Sequence, residues 1–347
     1  MNTTRVTPSD HGQETIESTC TGPRIVLFGT GGTIASSGAS ATQLHDYRVT
    51  ATLEEVMASV PHMHALGSLT GEQVFNVPSH DIDNGMLLQL AQRVAQALND
   101  PDVDGIVLTH GTDTLEETAY FLDLVTNSEK PVVVVGAMRP AQALSADGPL
   151  NLYNAVKVAA SPQARGKGVL VVLDDRIVAA RYASKRHTSA TDAFRPHEHG
   201  LLGEITGGIV RFFYSLVPRH VEGMAFALDK MAMLPQVDVI FDHIGAGEHL
   251  YDASIASGAK GIVLAATGNG SLSVSARAGA RKAQHNGVLM VRSTRTGSGT
   301  VLPLADDADF HTICANGLNP QKARLLLMLV LTKTADFQIA QRYFDCW

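Results

Sequence analysis

Cysteine is scarce in this sequence. The 347 residues include three cysteines, Cys20, Cys314 and Cys346, an odd number at wide spacing. Small secreted domains held by disulfides carry dense, even sets of cysteines, so this chain is not expected to be one of them. A reducing compartment suits such a chain, and we expect a cytoplasmic protein.

Long apolar runs and basic clusters are also lacking. No apolar stretch reaches the roughly 18 to 20 residues that a membrane-spanning helix needs. Residues 1–23 are polar, rich in Thr and Ser, and lack the apolar core of a signal peptide, so we expect a disordered tail there. The net charge is −7, and no Lys/Arg cluster offsets it. We therefore expect neither a membrane nor a nucleic acid as a partner.

Cofactor and metal signatures are missing as well. The fourteen histidines form no His-x-x-x-His pair, and no Cys-x-x-Cys occurs, so no metal is expected. The glycine-rich stretch that starts at Gly29 has Ile34 where the dinucleotide fingerprint needs its last glycine, and no Walker-type Gly-Lys-Ser/Thr follows. A nicotinamide-dependent Rossmann enzyme is thereby excluded, and no cofactor is expected.

Short β-branched runs alternate with helical patterns along the first two thirds of the chain. Apolar residues make up 45% of the sequence and charged residues 18%, a balance typical of a folded protein with a large core. The alternation predicts βαβ units around a parallel sheet. The predicted strands and helices lie at residues 24–27, 85–98, 105–108, 115–125, 131–135, 150–160, 168–173 and 208–213.

A second, shorter series of the same kind follows. It ends in a predicted helix over residues 320–334, whose first residue is a proline, as helix starts favour. Two such series indicate an α/β protein of two doubly wound domains with parallel-sheet cores. The strands of the second series are predicted at residues 237–241, 261–265 and 287–291.

An irregular stretch between the two series suits a linker. Residues 216–235 contain two prolines and a glycine. We therefore predict an N-terminal domain over residues 24–215, which carries most of the site, and a smaller C-terminal α/β domain over residues 236–347.

Two hydroxyl-rich turns follow two of the predicted strands. Thr30-Gly-Gly-Thr33 follows the first strand, and Thr109-His-Gly-Thr-Asp-Thr114 follows the strand at residues 105–108. In open parallel sheets, ligands bind at the carboxyl ends of strands. Glycine and threonine are common turn residues, so either motif alone could be structural. Together they indicate one site built from neighbouring strand ends.

Both motifs resemble the signatures of the bacterial-type L-asparaginases and glutaminase-asparaginases. The resemblance covers roughly residues 24–347. It implies an asparaginase-like fold and an amidohydrolase that converts L-asparagine to L-aspartate and ammonia, and it leaves open some activity on L-glutamine. The other matching segments are Val135-Gly-Ala-Met-Arg-Pro140, Ser145-Ala-Asp-Gly-Pro149, Asn151-Leu-Tyr-Asn-Ala-Val156 and Leu318-Asn-Pro-Gln-Lys-Ala-Arg324.

The resemblance also assigns catalytic residues. It makes Thr33 the nucleophile, which would attack the side-chain amide and form an acyl-enzyme. Thr112, Asp113 and Lys185 would form a second cluster, in which the lysine polarises a hydroxyl or takes a proton. Tyr47 lies in a segment similar to the mobile loop that covers the family's site. Whether Tyr47 or Lys185 takes the proton of Thr33 stays open.

Substrate-binding residues follow from the same resemblance. Asp113 would bind the substrate ammonium, and Ser79 with nearby backbone N–H groups its carboxylate. His80 stands where the family commonly has glutamine or glutamate, and we expect it to line the site. Ser271 matches a position that a neighbouring subunit contributes, which implies a homotetramer arranged as a dimer of dimers. The family's neighbouring glutamate is missing, and Asp306 is its candidate replacement, so we expect weaker substrate binding.

Two alternative functions stay open. An amidase that feeds ammonia to a transamidation complex would keep the fold, but the family's archaeal tRNA-amidotransferase subunit has an extra N-terminal domain, and only about 23 residues precede the first predicted strand here. A non-catalytic amino-acid-binding protein on the same scaffold would fit His80 and the missing glutamate. The presence of Thr33, Thr112, Asp113 and Lys185 favours the hydrolase.

Overall fold

The computed structural model describes residues 22–196, 198–216 and 225–347. Residues 1–21 of the predicted tail and residues 217–224 of the predicted linker lie outside these ranges. The strands are β1 (Arg24–Gly31), β2 (Ser36–Ser37), β3 (Arg48–Val49), β4 (Ser68–Val77), β5 (Gly105–Thr109), β6 (Val132–Val135), β7 (Val169–Leu173), β8 (Arg176–Ala179), β9 (Ala183–Lys185), β10 (Phe194–Pro196), β11 (Gly203–Thr206), β12 (Ile209–Phe212), β13 (Val237–Phe241), β14 (Gly261–Ala266), β15 (Leu289–Thr294) and β16 (Thr312–Cys314). The helices are α1 (Leu53–Ala58), α2 (Asn84–Asn99), α3 (Leu115–Val125), α4 (Gly148–Ala159), α5 (His249–Ala256), α6 (Val274–His285), α7 (Asp307–Phe310), α8 (Pro320–Leu331) and α9 (Phe337–Cys346).

The larger sheet contains eight strands in the order β12-β11-β8-β7-β6-β5-β1-β4. The five strands from β7 to β4 are parallel, which confirms the predicted parallel core. At the other edge, β8, β11 and β12 add antiparallel pairs that were not predicted. Asp174 and Asp175, between β7 and β8, have φ values of 53° and 58°. Two consecutive positive φ angles are the geometry of a type I′ hairpin turn, so the chain reverses at this point.

Helices cover both faces of this sheet. In β5, Ile106 and Leu108 belong to one apolar cluster with residues of α2 and α3. Val107, between them, belongs to a second cluster with residues of α1 and α4 on the opposite face. Successive side chains of a strand point to opposite faces, so a central strand that is buried on both sides is apolar throughout.

The smaller sheet is parallel and contains β13, β14, β15 and β16 in that order. In β14, Val263 packs in the same cluster as residues of α8, whereas Ile262 and Leu264 pack with Tyr251 of α5 and Ala276 of α6. Both domains are therefore doubly wound, as predicted.

The two domains share one apolar cluster, because α3 of the first domain packs against α8 of the second. Glu116 of α3 accepts hydrogen bonds from Asn319 and Gln321 at the start of α8, at 3.3 and 3.0 Å. Within the predicted linker, Phe226 and Leu228 are buried in the same cluster. The start of α8 is thus fixed against the domain that contains the two threonine turns.

No helix within residues 22–196, 198–216 and 225–347 is both long enough and apolar enough to cross a membrane.

Candidate active site

Three neighbouring parallel strands end at the candidate site. β1 lies between β4 and β5 in the larger sheet. Thr33 begins the 3₁₀ turn that follows β1, and Ser79 begins the 3₁₀ turn that follows β4. Thr112 and Asp113 lie in the turn after β5. Because the carboxyl ends of parallel strands share one edge of the sheet, these residues meet there. The sequence predicted this meeting for the turns after β1 and β5.

The backbones of the first and third turns touch at Gly32 and Gly111. Gly32 has a φ of 81°, in the left-handed region that favours glycine. A methyl group added to Gly32 would overlap the backbone of Gly111, and one added to Gly111 would overlap the side chain of Ser79. Glycine at both positions therefore allows Thr33, Ser79 and Thr112 to come together.

Thr33 is hydrogen-bonded to Tyr47, with 3.0 Å between its Oγ1 and the phenolic oxygen. β2 begins just after the turn of Thr33 and pairs with β3, so that Ser37 lies opposite Arg48. This short hairpin returns the chain to Thr33, with Tyr47 immediately before β3. The threonine side chain is buried and the tyrosine partly exposed. The predicted nucleophile and the predicted loop tyrosine are thus in direct contact.

The ammonium of Lys185 links Thr112 and Asp113. Its Nζ donates to Thr112 Oγ1 at 2.9 Å and to Asp113 Oδ1 at 2.7 Å. Lys185 ends β9 and pairs with Phe194 of β10. The hydrogen bond from Lys185 is the largest cause of the lowered pKa of Asp113, although partial burial acts to raise it. The aspartate side chain is 59% exposed against 16% for the lysine, so a charged carboxylate faces the solvent.

His80 lies beside the second oxygen of the Asp113 carboxylate. Its Nδ1 is 3.5 Å from Asp113 Oδ2, and its Nε2 is 3.9 Å from an oxygen of Asp81. A hydrogen bond and charge from His80 make a smaller contribution to the lowered pKa of Asp113. A cation bound at Asp113 Oδ2 would therefore lie next to the imidazole of His80.

Ser79 joins the turns that follow β4 and β5. Its side chain is buried, and its Oγ accepts a hydrogen bond from the backbone N–H of Thr114 at 3.4 Å. The hydroxyl of Thr114 in turn donates to the carbonyl oxygen of Ser79 at 2.8 Å. These two bonds fix the serine next to the turn of Thr112.

Ser271 and Asp306 lie in the other domain, and their contacts stay there. Ser271 lies in the loop that follows β14 and is exposed. Its backbone N–H donates to the carbonyl oxygen of Thr267. Asp306 forms a long ion pair with Arg277, 3.8 Å from Nε to Oδ2. Within one protomer the structure therefore does not bring these two predicted residues to the group around Thr33.

A buried arginine that the sequence prediction did not single out connects the loops of Ser271 and Asp306. Arg292 donates to both carboxylate oxygens of Asp307 at 2.6 Å, to the Gly270 carbonyl at 2.9 Å and to the Leu302 carbonyl at 3.0 Å. The two loops are thus held together inside the C-terminal domain.

A second unpredicted residue, His110, lies under the turn of Thr112. It is fully buried; its Nδ1 is 2.7 Å from the carbonyl oxygen of Gly111, and its Nε2 is 2.9 Å from the hydroxyl of Thr118. Burial lowers the pKa of His110 to about 4, against a smaller opposing effect of the hydrogen bond to Gly111. A neutral imidazole with Nδ1–H donating to the carbonyl and Nε2 accepting from the hydroxyl satisfies both contacts. The sequence signal, a histidine inside the hydroxyl-rich turn at residues 109–114, was present but ambiguous.

The geometry suits nucleophilic chemistry on a small polar molecule. Each of two buried hydroxyls, Thr33 and Thr112, is hydrogen-bonded to a side chain that can exchange a proton, Tyr47 and Lys185 respectively. The exposed carboxylate of Asp113 next to them can bind a substrate cation. A hydroxyl nucleophile, proton carriers and a charged binding group are therefore combined in one place.

Comparisons with known proteins agree with the resemblance seen in the sequence. The family model described as "Asparaginase, N-terminal" matches residues 24–218, and the one described as "Glutaminase/Asparaginase C-terminal domain" matches residues 236–344. The chain is 51% identical over 324 residues to L-asparaginase 2 of Bacillus subtilis (strain 168), covering 93% of this chain and 86% of that protein. It is 44% identical over 324 residues to glutaminase-asparaginase of Pseudomonas fluorescens biotype A, covering 92% and 89%.

The fold comparison leads to the same family. A solved structure named as probable cytoplasmic L-asparaginase from Campylobacter jejuni matches with a TM-score of 0.91 and 40% identity, over 94% of this chain and 100% of that one. Because both domains match along nearly their full length, the chain belongs to the asparaginase family of hydrolases, with the L-asparaginases and glutaminase-asparaginases.

Proposed function

We propose that this protein is an L-asparaginase, which hydrolyses the side-chain amide of L-asparagine to L-aspartate and ammonia, with some activity on L-glutamine. The observation that carries the proposal is the hydrogen bond between Thr33 and Tyr47, beside the linked group of Thr112, Lys185 and Asp113. Names of the relatives point to the same two substrates.

In the proposed reaction, Thr33 Oγ1 attacks the amide carbon and its proton leaves through the neighbouring hydroxyl of Tyr47. The tetrahedral intermediate collapses when the C–N bond breaks and the amide nitrogen takes a proton, releasing ammonia. Water then attacks the ester, and Thr33 recovers its proton as the acid leaves. Backbone N–H groups near Thr33 and Thr112 would stabilise the oxyanion. Tyr47 is assigned to Thr33 because the two are in contact, whereas Lys185 contacts Thr112.

Substrate binding is proposed to use the charges of the free amino acid. One carboxylate oxygen of Asp113 accepts a hydrogen bond from Lys185. The other oxygen, which lies beside His80, would bind the ammonium of the substrate. Ser79 and nearby backbone N–H groups would bind the carboxylate. His80 narrows the space at the ammonium, so it is proposed as the residue that tunes the balance between asparagine and glutamine.

The active protein is proposed to be a homotetramer built as a dimer of dimers. Ser271 is exposed, and apolar side chains near it are exposed as well: Phe241 is 56% exposed, Ile244 100% and Val274 83%. Apolar groups clustered on a surface suit an interface between subunits. In this arrangement Ser271, and Asp306 if it releases Arg277, would reach the site of a neighbouring subunit.

We propose a cytoplasmic location and a division of the chain into two domains. A cytoplasmic location is supported by the scarcity of cysteine, since Cys314 and Cys346 are both free thiols. The domains are proposed to span residues 24–215 and 236–347, with 216–235 as the linker, and the tail over residues 1–23 stays a prediction. Fractionation of cells against cytoplasmic and periplasmic marker enzymes tests the location.

The proposed activity is tested by ammonia release from L-asparagine and from L-glutamine, for the wild type and for Thr33→Ala. We expect release from asparagine that exceeds release from glutamine, and loss of both in the variant. A folded, oligomeric wild type that releases no ammonia but binds asparagine in calorimetry would refute the enzyme and favour the amino-acid-binding protein. Activity retained by Thr33→Ala would refute the nucleophile alone.

A further inference from the structure

We propose that Lys322, in α8 of the C-terminal domain, is a positioning residue for Lys185 of the N-terminal domain. Its ammonium binds the segment of residues 180–183, which leads directly into the strand that ends at Lys185. The inference rests on the proposed function where it concerns catalysis, but the placement of the segment can be tested independently.

Three hydrogen bonds connect Lys322 to this segment. Its Nζ donates to the carbonyl oxygens of Ala180 at 2.9 Å, Arg181 at 2.8 Å and Ala183 at 2.5 Å. An ammonium has three N–H donors, and all three of them donate to carbonyl oxygens of this segment. In the described part of the chain, no other side chain donates hydrogen bonds to all three of these carbonyls.

Backbone hydrogen bonds from Ala180 to Val169 and from Tyr182 to Ala179 also hold the segment, but the strand into which it leads has little support of its own. β9, which contains Lys185, lies outside the eight-stranded sheet and pairs with β10 in a ribbon of three residues per strand. Isolated two-stranded ribbons are marginal in stability. Ala180 and Ala183 are fully buried, and a buried carbonyl that loses its donor is costly. Removing the ammonium would therefore let the ribbon shift, and Lys185 with it.

The cost of burying Lys322 supports a positional role. The side chain is 1% exposed, and desolvation lowers its pKa to about 8. Buried charges are often less stabilising than apolar residues of the same size, so stability alone does not account for a lysine here. The charged groups that face it are Glu116, Glu117 and Asp123 of α3 and Arg181 of the segment, and the ring of Tyr120 lies 5.7 Å from Nζ.

The test compares Lys322→Met with Arg324→Met. Methionine keeps the length of the lysine side chain without its donors. Arg324 is on the same helix and also connects the domains, through bonds to Asn84 Oδ1 at 3.1 Å and to the Val237 carbonyl at 3.0 Å, but it does not bind residues 180–183. The measurements are kcat and KM for L-asparagine, thermal unfolding, and hydrogen exchange of the peptide covering residues 180–186.

We expect Lys322→Met to lower kcat at least about tenfold with a KM within about threefold, since displacing a catalytic group by an ångström can cost 10²-fold. Hydrogen exchange at residues 180–186 should increase in Lys322→Met but not in Arg324→Met. Arg324→Met should keep kcat within about twofold even where its unfolding temperature falls equally. Equal kcat losses in both variants, or unchanged exchange in Lys322→Met, would overturn the proposal.

A third variant covers the case in which Lys322→Met fails to fold. Lys322→Gln keeps two hydrogen-bond donors. Its kcat and its hydrogen exchange at residues 180–186 should lie between those of the wild type and those of Lys322→Met. If the wild type releases no ammonia, the proposed function fails, whereas the exchange experiment still decides whether Lys322 fixes the segment.

Discussion

Gly32 and Gly111 lie backbone against backbone, at the point where the turns after two neighbouring strands meet. A side chain on Gly32 would overlap Gly111, and a side chain on Gly111 would overlap Ser79. The close approach places Thr33 of one turn near Thr112 of the other. The site thus depends on two residues that have no side chain.

Gly111→Ala tests this dependence. Overpacking at Ser79 should cost about 1–3 kcal/mol of unfolding free energy and should reduce kcat/KM for L-asparagine by about 100-fold or more. Gly317→Ala is the matched control, because no atom lies within 4 Å of the added methyl group. Unfolding in urea and steady-state ammonia release measure both effects. Two variants with equal activity would show that the packing at Gly111 is not needed for the site.

Tyr47→Phe tests the proton path from Thr33. The phenolic oxygen lies 3.0 Å from Thr33 Oγ1, and removing it should lower kcat by about 10²–10⁴-fold, the usual range for a general acid–base group. KM should change little. Tyr214→Phe, which removes a hydroxyl bound to the His199 carbonyl, serves as the control. If kcat of Tyr47→Phe stays within about threefold of wild type, Lys185 becomes the better candidate for the base.

His110 should make the protein sensitive to acid. Its pKa is lowered from 6.5 to about 4 in the folded chain, so between these values the unfolded chain binds more protons. The contribution to stability is therefore complete above about pH 6.5 and falls as pH decreases toward 4. Linkage gives a loss of about 2 kcal/mol per subunit between pH 7.5 and pH 5.

His110→Gln should lack this loss, because glutamine does not titrate. Urea unfolding at pH 7.5 and pH 5, at one fixed protein concentration, measures the difference for both proteins. The stability gap between wild type and variant should narrow, or reverse, at pH 5. An equal pH dependence in the two proteins would mean that His110 takes its proton in the folded state at its ordinary pKa.

The sequence predicted the buried strands of both sheets well because each is a continuous apolar run. β5 and β6, for example, are covered on both faces, and their residues are buried throughout. β4 was missed because it forms the edge of the sheet and includes Glu72, Gln73 and Asn76, which interrupt any apolar pattern. β8 to β11 were missed because they are four residues long or shorter and depend on hairpin turns rather than on hydrophobic periodicity. The three-residue strand β16 was missed as well.

At the site, the sequence indicated which turns meet but not what supports them. Thr33 and Thr112 belong to motifs at strand ends, so their proximity follows from the parallel order. The contact of Lys322 with Ala180 spans 142 positions and crosses the domain boundary, and no local pattern indicates it. The pairing of Asp306 with Arg277 depends likewise on how α6 and the loop before α7 pack.

A site shared between subunits predicts recovery of activity on mixing two inactive variants. Thr33→Ala removes the nucleophile, and Ser271→Arg should block the site of the neighbouring subunit with a bulky side chain. In a dimer of one subunit of each variant, one site contains both substitutions and is inactive. The other site contains an intact Thr33 from one subunit and an intact Ser271 from its neighbour. Random reassembly after mild dissociation should therefore restore about a quarter of the wild-type rate, measured as ammonia release. A mixture as inactive as its components, with hybrids verified by native mass spectrometry, would place the whole site within one protomer.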